Sequence, residues 1–315
     1  MIPNENGMNA PELTVVVGLI SGKKDDLGRC LAALACQENP PSFEVVVPYD
    51  DPCADVRSLA AEHTAVRFIR AEGLDTAAAR RGASREHHDS LRTIGLKNAR
   101  GRIVALTEDH AVASPTWCAD MVWLLDERPR AAAVGGAVDC RNDSIFSWAV
   151  YWCDFGRYQS PLRERPAPFV SDSNVAYRKD ALEAIRSSWE NDYHETIVHD
   201  ALTRAGRELL LTPKSRVWQA RGRLPILKSL VERFVWARSY AGTRVAAAPL
   251  ARRLFLAAAS FVLPLVLTWR IAKGVLERRI LDRRFVLALP AIFLLQGFWA
   301  FGEFVGYVTK NPGKA

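Results

Sequence analysis

The chain has 315 residues, 49% of them hydrophobic, and a net charge of +7. Part of that apolar content belongs to a C-terminal tail, and the roughly 250 residues before it suffice for one large domain or two small ones. The charge does not mark a nucleic-acid binder, because its late excess (Arg252, Arg253, Arg270, Lys273, Arg278, Arg279, Arg283 and Arg284) flanks apolar runs and forms no separate basic face.

The opening MIPNENGMNAPEL has no basic segment followed by an apolar one, and the VVVGLI after it is too short and too β-branched for a signal peptide. The domain is therefore expected in the cytosol. Cysteines at 30, 36, 53, 118, 140 and 153 contain no CxxC pair, which excludes a zinc knuckle or thioredoxin-type site and suits reduced thiols partly in a core.

A buried strand is expected over 13–20 (LTVVVGLI), then a helix over 25–36 with Leu27, Leu31 and Leu34 at helical spacing. A second buried strand at 43–47 ends in the acidic turn Tyr49-Asp50-Asp51-Pro52. A helix over 55–62 and a strand over 66–69 follow. His87-His88 lie in the charged run ARRGASREHHDSLR, which reads as a solvated loop, not a metal site. A strand at 103–106 closes in Thr107-Glu108-Asp109-His110, a helix over 114–125 starts with Pro115 in its first turn, and a strand over 131–138 breaks at Gly135-Gly136. Residues 139–180 read as irregular and aromatic-rich, ending in the polar turn Ser171-Asp172-Ser173-Asn174 and a short strand. A helix over 193–206 is capped by Gly206, and 227–244 forms an amphipathic basic helix of the kind that lies on a membrane surface.

Residues 285–308 carry one charge, Glu303, and exceed the roughly 20 apolar residues needed to cross a bilayer. A shorter apolar run, 254–269, precedes them. If both cross, the Arg-rich loop 270–284 lies opposite the soluble domain, against the positive-inside tendency. With Pro264 inside it, the shorter run can instead lie in the interface or dip in and return. The basic collar suits anionic headgroups.

Strands alternating with helices imply an α/β fold with a mostly parallel sheet covered on both faces, and ligands then bind outside the carboxyl ends of the strands. Two acidic clusters fall there: Asp50-Asp51 and Glu108-Asp109-His110. The second offers carboxylates and an imidazole, donors that suit Mg2+ or Mn2+ as a half-shell completed by substrate phosphates. The segment HETIVH at 194–199 is not the zinc-protease pattern HExxH, since position 198 is Val. It leaves Glu195 near a helix start, where a carboxylate can act as a general base on a hydroxyl.

The ordered set of these pieces resembles the family 2 glycosyltransferases, which have a GT-A fold. The first strand and helix, the Asp50-Asp51-Pro52-Cys53 turn, Arg92-Thr93-Ile94-Gly95, Thr107-Glu108-Asp109-His110, Ser173-Asn174-Val175-Ala176-Tyr177-Arg178 and His194-Glu195 with ALTRAG at 201–206 follow the family's sequence of motifs. The closing GEFVGY looks like the tail of membrane-attached bacterial members. Departures are Pro-Cys in place of Gly-Ser after Asp51, and a metal triplet with Thr107 or His110 where the family has Asp. The QxxRW segment of processive synthases survives only as Glu232-Arg233-Phe234-Val235-Trp236, and with two candidate membrane segments a channel-forming synthase is not expected.

The resemblance implies a GT-A catalytic domain over 1–226, an interfacial helix over 227–250 and membrane-associated segments within 251–315. It implies an inverting transfer from a nucleotide-diphosphate sugar to a hydroxyl of a membrane-linked or envelope glycan acceptor. Asp50, Asp51, Arg92, Glu108 and Asp109 would hold the donor, and Glu108, Asp109 and His110 a Mn2+ or Mg2+ ion. Asn174 and Tyr177 would face the acceptor, and Glu195 would be the base. The partners are then a nucleotide-sugar, a lipid-linked or glycan acceptor and membrane lipids, not nucleic acid, with the catalytic domain on the cytoplasmic side of a membrane. Two alternatives stand beside this: transfer to a polyprenyl phosphate, and a catalytically silent membrane scaffold.

Overall fold

The computed structural model describes residues 10–72, 74, 85–246 and 248–311. Among the described residues nine strands form one sheet: β1 (Leu13–Gly18), β2 (Phe43–Tyr49), β3 (Val66–Arg70), β4 (Ile103–Glu108), β5 (Ala111–Ala113), β6 (Ala131–Cys140), β7 (Arg165–Pro166), β8 (Asn174–Arg178) and β9 (Glu208–Gln219). The helices are α1 (Lys24–Ala35), α2 (Arg85–Lys97), α3 (Trp117–Glu127), α4 (Ile145–Phe155), α5 (Lys179–Ala184), α6 (Glu195–Arg204), α7 (Ile226–Arg244), α8 (Leu250–Ser260), α9 (Leu263–Glu277) and α10 (Arg283–Thr309).

The chain divides into two compact units. The first comprises Met1–Asp139 and Tyr158–Ala220. Its sheet order is β3-β2-β1-β4-β8-β6-β9-β5, with β7 paired to β9. The four strands from β3 to β4 are parallel, and every residue of β1 and β4 is buried, which is why both read as unbroken apolar runs. Register fixes the functional rim. Gly18 at the end of β1 pairs with Glu108 at the end of β4, while the antiparallel β8 sets Asn174 against Thr107. Asp109 and the 171–173 turn therefore emerge at the same edge. The alternation expected from sequence is borne out.

One expectation fails in this unit and one strand was not anticipated. The His87-His88 run is no loop: it lies in α2, where His87, His88, Leu91, Arg92 and Leu96 recur at helical spacing and are buried. The long strand β9 also went unforeseen, since Pro213, Lys214 and Arg216 interrupt its apolar pattern.

The second unit comprises Cys140–Arg157 and Arg221–Ala315. Residues 140–157, read from sequence as irregular and placed in the catalytic segment, belong here through α4, whose Trp148, Tyr151 and Trp152 join a core with Phe285, Ile292 and Leu295 of α10. Helix α7 packs closely on α10 at Gly302 and Gly306, where an added Cβ would lie 2.3 Å from the Phe234 carbonyl oxygen and 2.5 Å from that of Arg238. This four-residue spacing of small residues brings helix backbones into contact. Helix α10 is long and apolar enough to cross a membrane, and α8 with α9 passes the same test as a pair bent by 60°. The run 254–269 is thus two helices, with Pro264 in the first turn of α9.

Helix α2 sits tightly on β1: a Cβ at Gly95 would lie 2.2 Å from Val16 Cγ1. Overpacking of a filled core costs about 1–3 kcal/mol. Gly95→Ala is expected to lower stability by that amount in chemical denaturation, and a neutral result would show that α2 is free to shift.

Candidate active site

The site is built around one buried cation. Arg92, on the inner face of α2, places Nη1 3.1 Å from Asp89 Oδ1, and Nη2 3.2 Å from Glu108 Oε1 and 3.1 Å from Asp172 Oδ2. Burial alone pulls its pKa down, but Asp172, Asp89 and Glu108 together outweigh that and raise it, so the guanidinium stays charged. Asp89 also reaches the other way: its Oδ2 lies 2.9 Å from His194 Nδ1, and His194 is the residue immediately before Glu195 and α6. A continuous polar chain therefore runs from Glu108 through Arg92 and Asp89 to the start of the Glu195 helix.

Glu108 continues the chain toward β9 and β5. Its Oε2 accepts from Gln219 Nε2 at 3.0 Å and lies 3.1 Å from His110 Nε2. Asp109 meets the other nitrogen of His110 and the turn after β1. Its carboxylate accepts from the Ser21 backbone N–H at 3.0 and 3.1 Å, from Ser21 Oγ at 2.9 Å and from the Gly22 N–H at 2.8 Å, and it lies 2.9 Å from His110 Nδ1. Burial raises the Asp109 pKa, yet hydrogen bonds and charge from His110 and Ser21 outweigh it and keep the carboxylate ionised. Asp109 thereby anchors the β1–α1 turn.

Asp50 is buried where β2 ends, with Oδ2 2.9 Å from His87 Nε2. The side chain of Asp51 lies outside the described residues. His88 is buried beside this pair, its pKa lowered to about 4 chiefly by burial and then by the Arg92 charge, so it stands neutral.

The two residues expected to face an acceptor do not reach solvent. Asn174 is fully buried: its Oδ1 accepts from Trp117 Nε1 at 2.8 Å and Ser215 Oγ at 3.1 Å, and its Nδ2 donates to the Ala137 carbonyl at 2.8 Å. Tyr177 is equally buried, its hydroxyl 2.8 Å from Tyr193 Oη and 2.7 Å from His199 Nε2. Their polar atoms tie β8 to neighbouring strands and to α6. Glu195 is partly exposed at the first turn of α6, and its charge is felt by Tyr177 and Tyr193.

Asp89, Asp172, Gln219 and Ser21 were missed from sequence. Asp172 alone carried a signal, since the polar turn containing it leads into a strand beside the metal triplet.

Part of this donor set suits a divalent cation. An oxygen and an imidazole nitrogen 3.1 Å apart match two neighbouring ligands of an octahedral ion, whose metal–oxygen distances are about 2.1 Å. Among the described residues no three His, Cys, Asp or Glu side chains are grouped to hold an ion without help. Glu108 and His110 therefore fit as a half-shell.

The parallel sheet with acidic turns on one carboxyl rim, continued by antiparallel strands, is a GT-A fold. Residues 19–186, more than half of the chain, match the family model described as glycosyl transferase family 2, and the chain belongs to that family. A 101-residue stretch is 31% identical to the glucosyl-dolichyl phosphate glucuronosyltransferase of Haloferax volcanii, covering 29% of this chain and 31% of that relative. The chain thus matches about a third of that relative's length. The mannosyltransferase PcManGT from Pyrobaculum calidifontis, solved with GDP-Man and Mn2+, shares the fold with TM-score 0.53 and 16% identity over 92% of this chain and 86% of that one. GalNAc-T7, solved with UDP, GalNAc and Mn2+, gives TM-score 0.48 and 14% identity over 68% of this chain and 44% of that one.

Burial lowers the pKa of His199 from the ordinary histidine value of 6.5 to about 3. Its folded form therefore takes up a proton less readily than the unfolded chain. Stability is full above about 6.5 and falls as pH drops toward about 3, with a slope near 1.4 kcal/mol per pH unit from this group. Replacing His199 by Gln is expected to flatten the acid limb of melting temperature against pH by that contribution. An unchanged limb would show that His199 is not buried neutral.

Proposed function

We propose that this glycosyltransferase moves a sugar, with inversion, from a nucleotide-diphosphate sugar to a hydroxyl of a lipid-linked glycan. The observation that carries the reading is Asp89 bridging Arg92 and His194, which brings the donor-side charges and Glu195 into one connected network. In this reading Asp50 and Asp51 hold the base and ribose. Arg92 stays cationic beside the diphosphate. Glu108 and His110 hold a Mn2+ or Mg2+ ion, and Asp109 fixes the turn against which the nucleotide rests.

The bound ion supplies Lewis-acid charge to the departing diphosphate. Glu195 takes the proton from the acceptor hydroxyl as the oxygen bonds to the anomeric carbon. The bond from that carbon to the diphosphate breaks with its electron pair on the diphosphate, and the configuration inverts. Asn174 and Tyr177 shape the acceptor side from behind by holding β8 and α6. The name of the Haloferax volcanii relative supports a lipid-linked acceptor, and α10 with its basic flanks suits a membrane position, the catalytic unit facing the cytoplasm.

The acceptor in that relative's name already carries glucose on its phosphate, which favours a sugar hydroxyl; the rival reading is direct transfer to a polyprenyl phosphate, whose anionic acceptor oxygen needs no base. Glu195→Gln separates the two. With a hydroxyl acceptor, removal of the base is expected to lower turnover by about 10²–10⁴-fold. Binding of the nucleotide-sugar in Mn2+, followed by thermal shift, is expected to remain. Retained turnover would overturn the hydroxyl reading in favour of the phosphate.

A further inference from the structure

Helices α8, α9 and α10 line a half-open cavity of about 210 Å3 at the bend between α8 and α9, with Phe261 and Phe301 exposed at its mouth. Its walls include Ser260, Phe261, Pro264, Gly297, Phe301 and Phe304. Ser260 already donates its hydroxyl to the Leu256 carbonyl at 3.0 Å, so the lining suits hydrocarbon and not a sugar. Gly297 keeps the space open: a Cβ built there meets nothing within 4 Å. Glycine is disfavoured inside a helix relative to almost any other residue, so an open position of this kind is unlike the close-packed glycines elsewhere on α10.

A cationic collar stands at one end of the same helices. Arg253 donates to the Tyr307 carbonyl at 3.0 Å, which joins the start of α8 to the end of α10. Arg252 and Lys310 are exposed there, and Arg244 donates to Tyr307 Oη at 3.1 Å. Helix α8 runs from the collar to the cavity and α10 runs back. At 1.5 Å per residue, Arg253 and Ser260 are about 10 Å apart along α8, and Phe304 and Lys310 about 9 Å apart along α10. Positive charge and an apolar slot are thus spaced as the phosphate and the first part of the chain in one lipid.

We propose that this cavity and collar bind a single-chained lipid phosphate of polyprenyl type, its chain in the cavity and its phosphate on Arg252 and Lys310. One slot accepts one chain, and a two-chain phospholipid would leave the second outside. The assignment deepens the lipid-linked acceptor reading and rests on it for the identity of the lipid.

The test uses the full chain in phosphatidylcholine nanodiscs with a photoreactive polyprenyl phosphate, and maps the labelled peptides. Labelling is expected at Phe301–Phe304, competed by unlabelled polyprenyl phosphate but not by phosphatidylglycerol or an uncharged prenol. Gly297→Leu, which puts side-chain volume into the slot from a position where a Cβ meets nothing, and Arg252→Glu, on the surface, are each expected to reduce labelling about tenfold, the change that marks loss of a specific contact. Melting temperature confirms that both variants are folded. Equal competition by phosphatidylglycerol would identify bulk lipid and overturn the proposal, as would unchanged labelling in both variants. The readout is labelling and not turnover. A parent chain that labels at the cavity but transfers no sugar would support this assignment while removing the transferase reading.

Discussion

The catalytic unit depends on the burial of Arg92 among Asp89, Glu108 and Asp172. A guanidinium out of water is tolerated only where carboxylates satisfy it, and carboxylates out of water only where a cation meets them. The arrangement therefore locks four segments together: α2, the end of β4, the turn before β8 and, through Asp89, the start of α6. It also leaves the rim with more negative than positive charge, three carboxylates against one guanidinium. Such a rim favours a further cation, and that imbalance is the physical basis for assigning Glu108 and His110 to a divalent ion.

A second constraint works at right angles to the first. Asp109 holds Ser21 and Gly22, so the turn after β1 is fixed to the end of β4 by a buried ionised side chain. The pairing of Gly18 with Glu108 sets the height at which this happens. The triplet thus divides its work. The middle residue shapes the floor, while the residues on either side of it converge 3.1 Å apart. The turn explains the division: β4 ends at Glu108 and β5 begins at Ala111, so Asp109 and His110 lie in the two-residue turn between them, where His110 bridges back to Glu108.

The parallel half of the sheet was legible because strands buried on both faces are apolar throughout, as in β1 and β4. Asp50, Glu108 and Asp109 were legible by position, since acidic turns after such strands fall on the ligand-binding rim. Helix α2 was hidden by its own function. The face it buries carries His87, His88, Asp89 and Arg92, so its polarity imitates a solvated run. Gln219 was hidden by distance: it meets Glu108 from 111 residues away, and no local pattern encodes that. Asn174 and Tyr177 misled for the opposite reason. They are polar residues beside a turn, but antiparallel pairing with β4 carries them inward, where each side chain is satisfied by buried partners.

The second unit shows how one residue type serves opposite ends within a single helix. At Gly302 and Gly306 the missing side chain lets the backbone of α7 approach, and any Cβ would collide with a carbonyl oxygen. Without a hydrophobic drive between helices in lipid, such close contact supplies packing that larger residues would prevent. At Gly297, five residues from the first of these, nothing fills the missing volume. A helix selected only for dense packing would carry alanine there, a better helix former whose Cβ meets nothing within 4 Å. The vacancy is therefore a property of that position and not of glycine content, and it lies beside three phenylalanines at the one bend that α8 and α9 make.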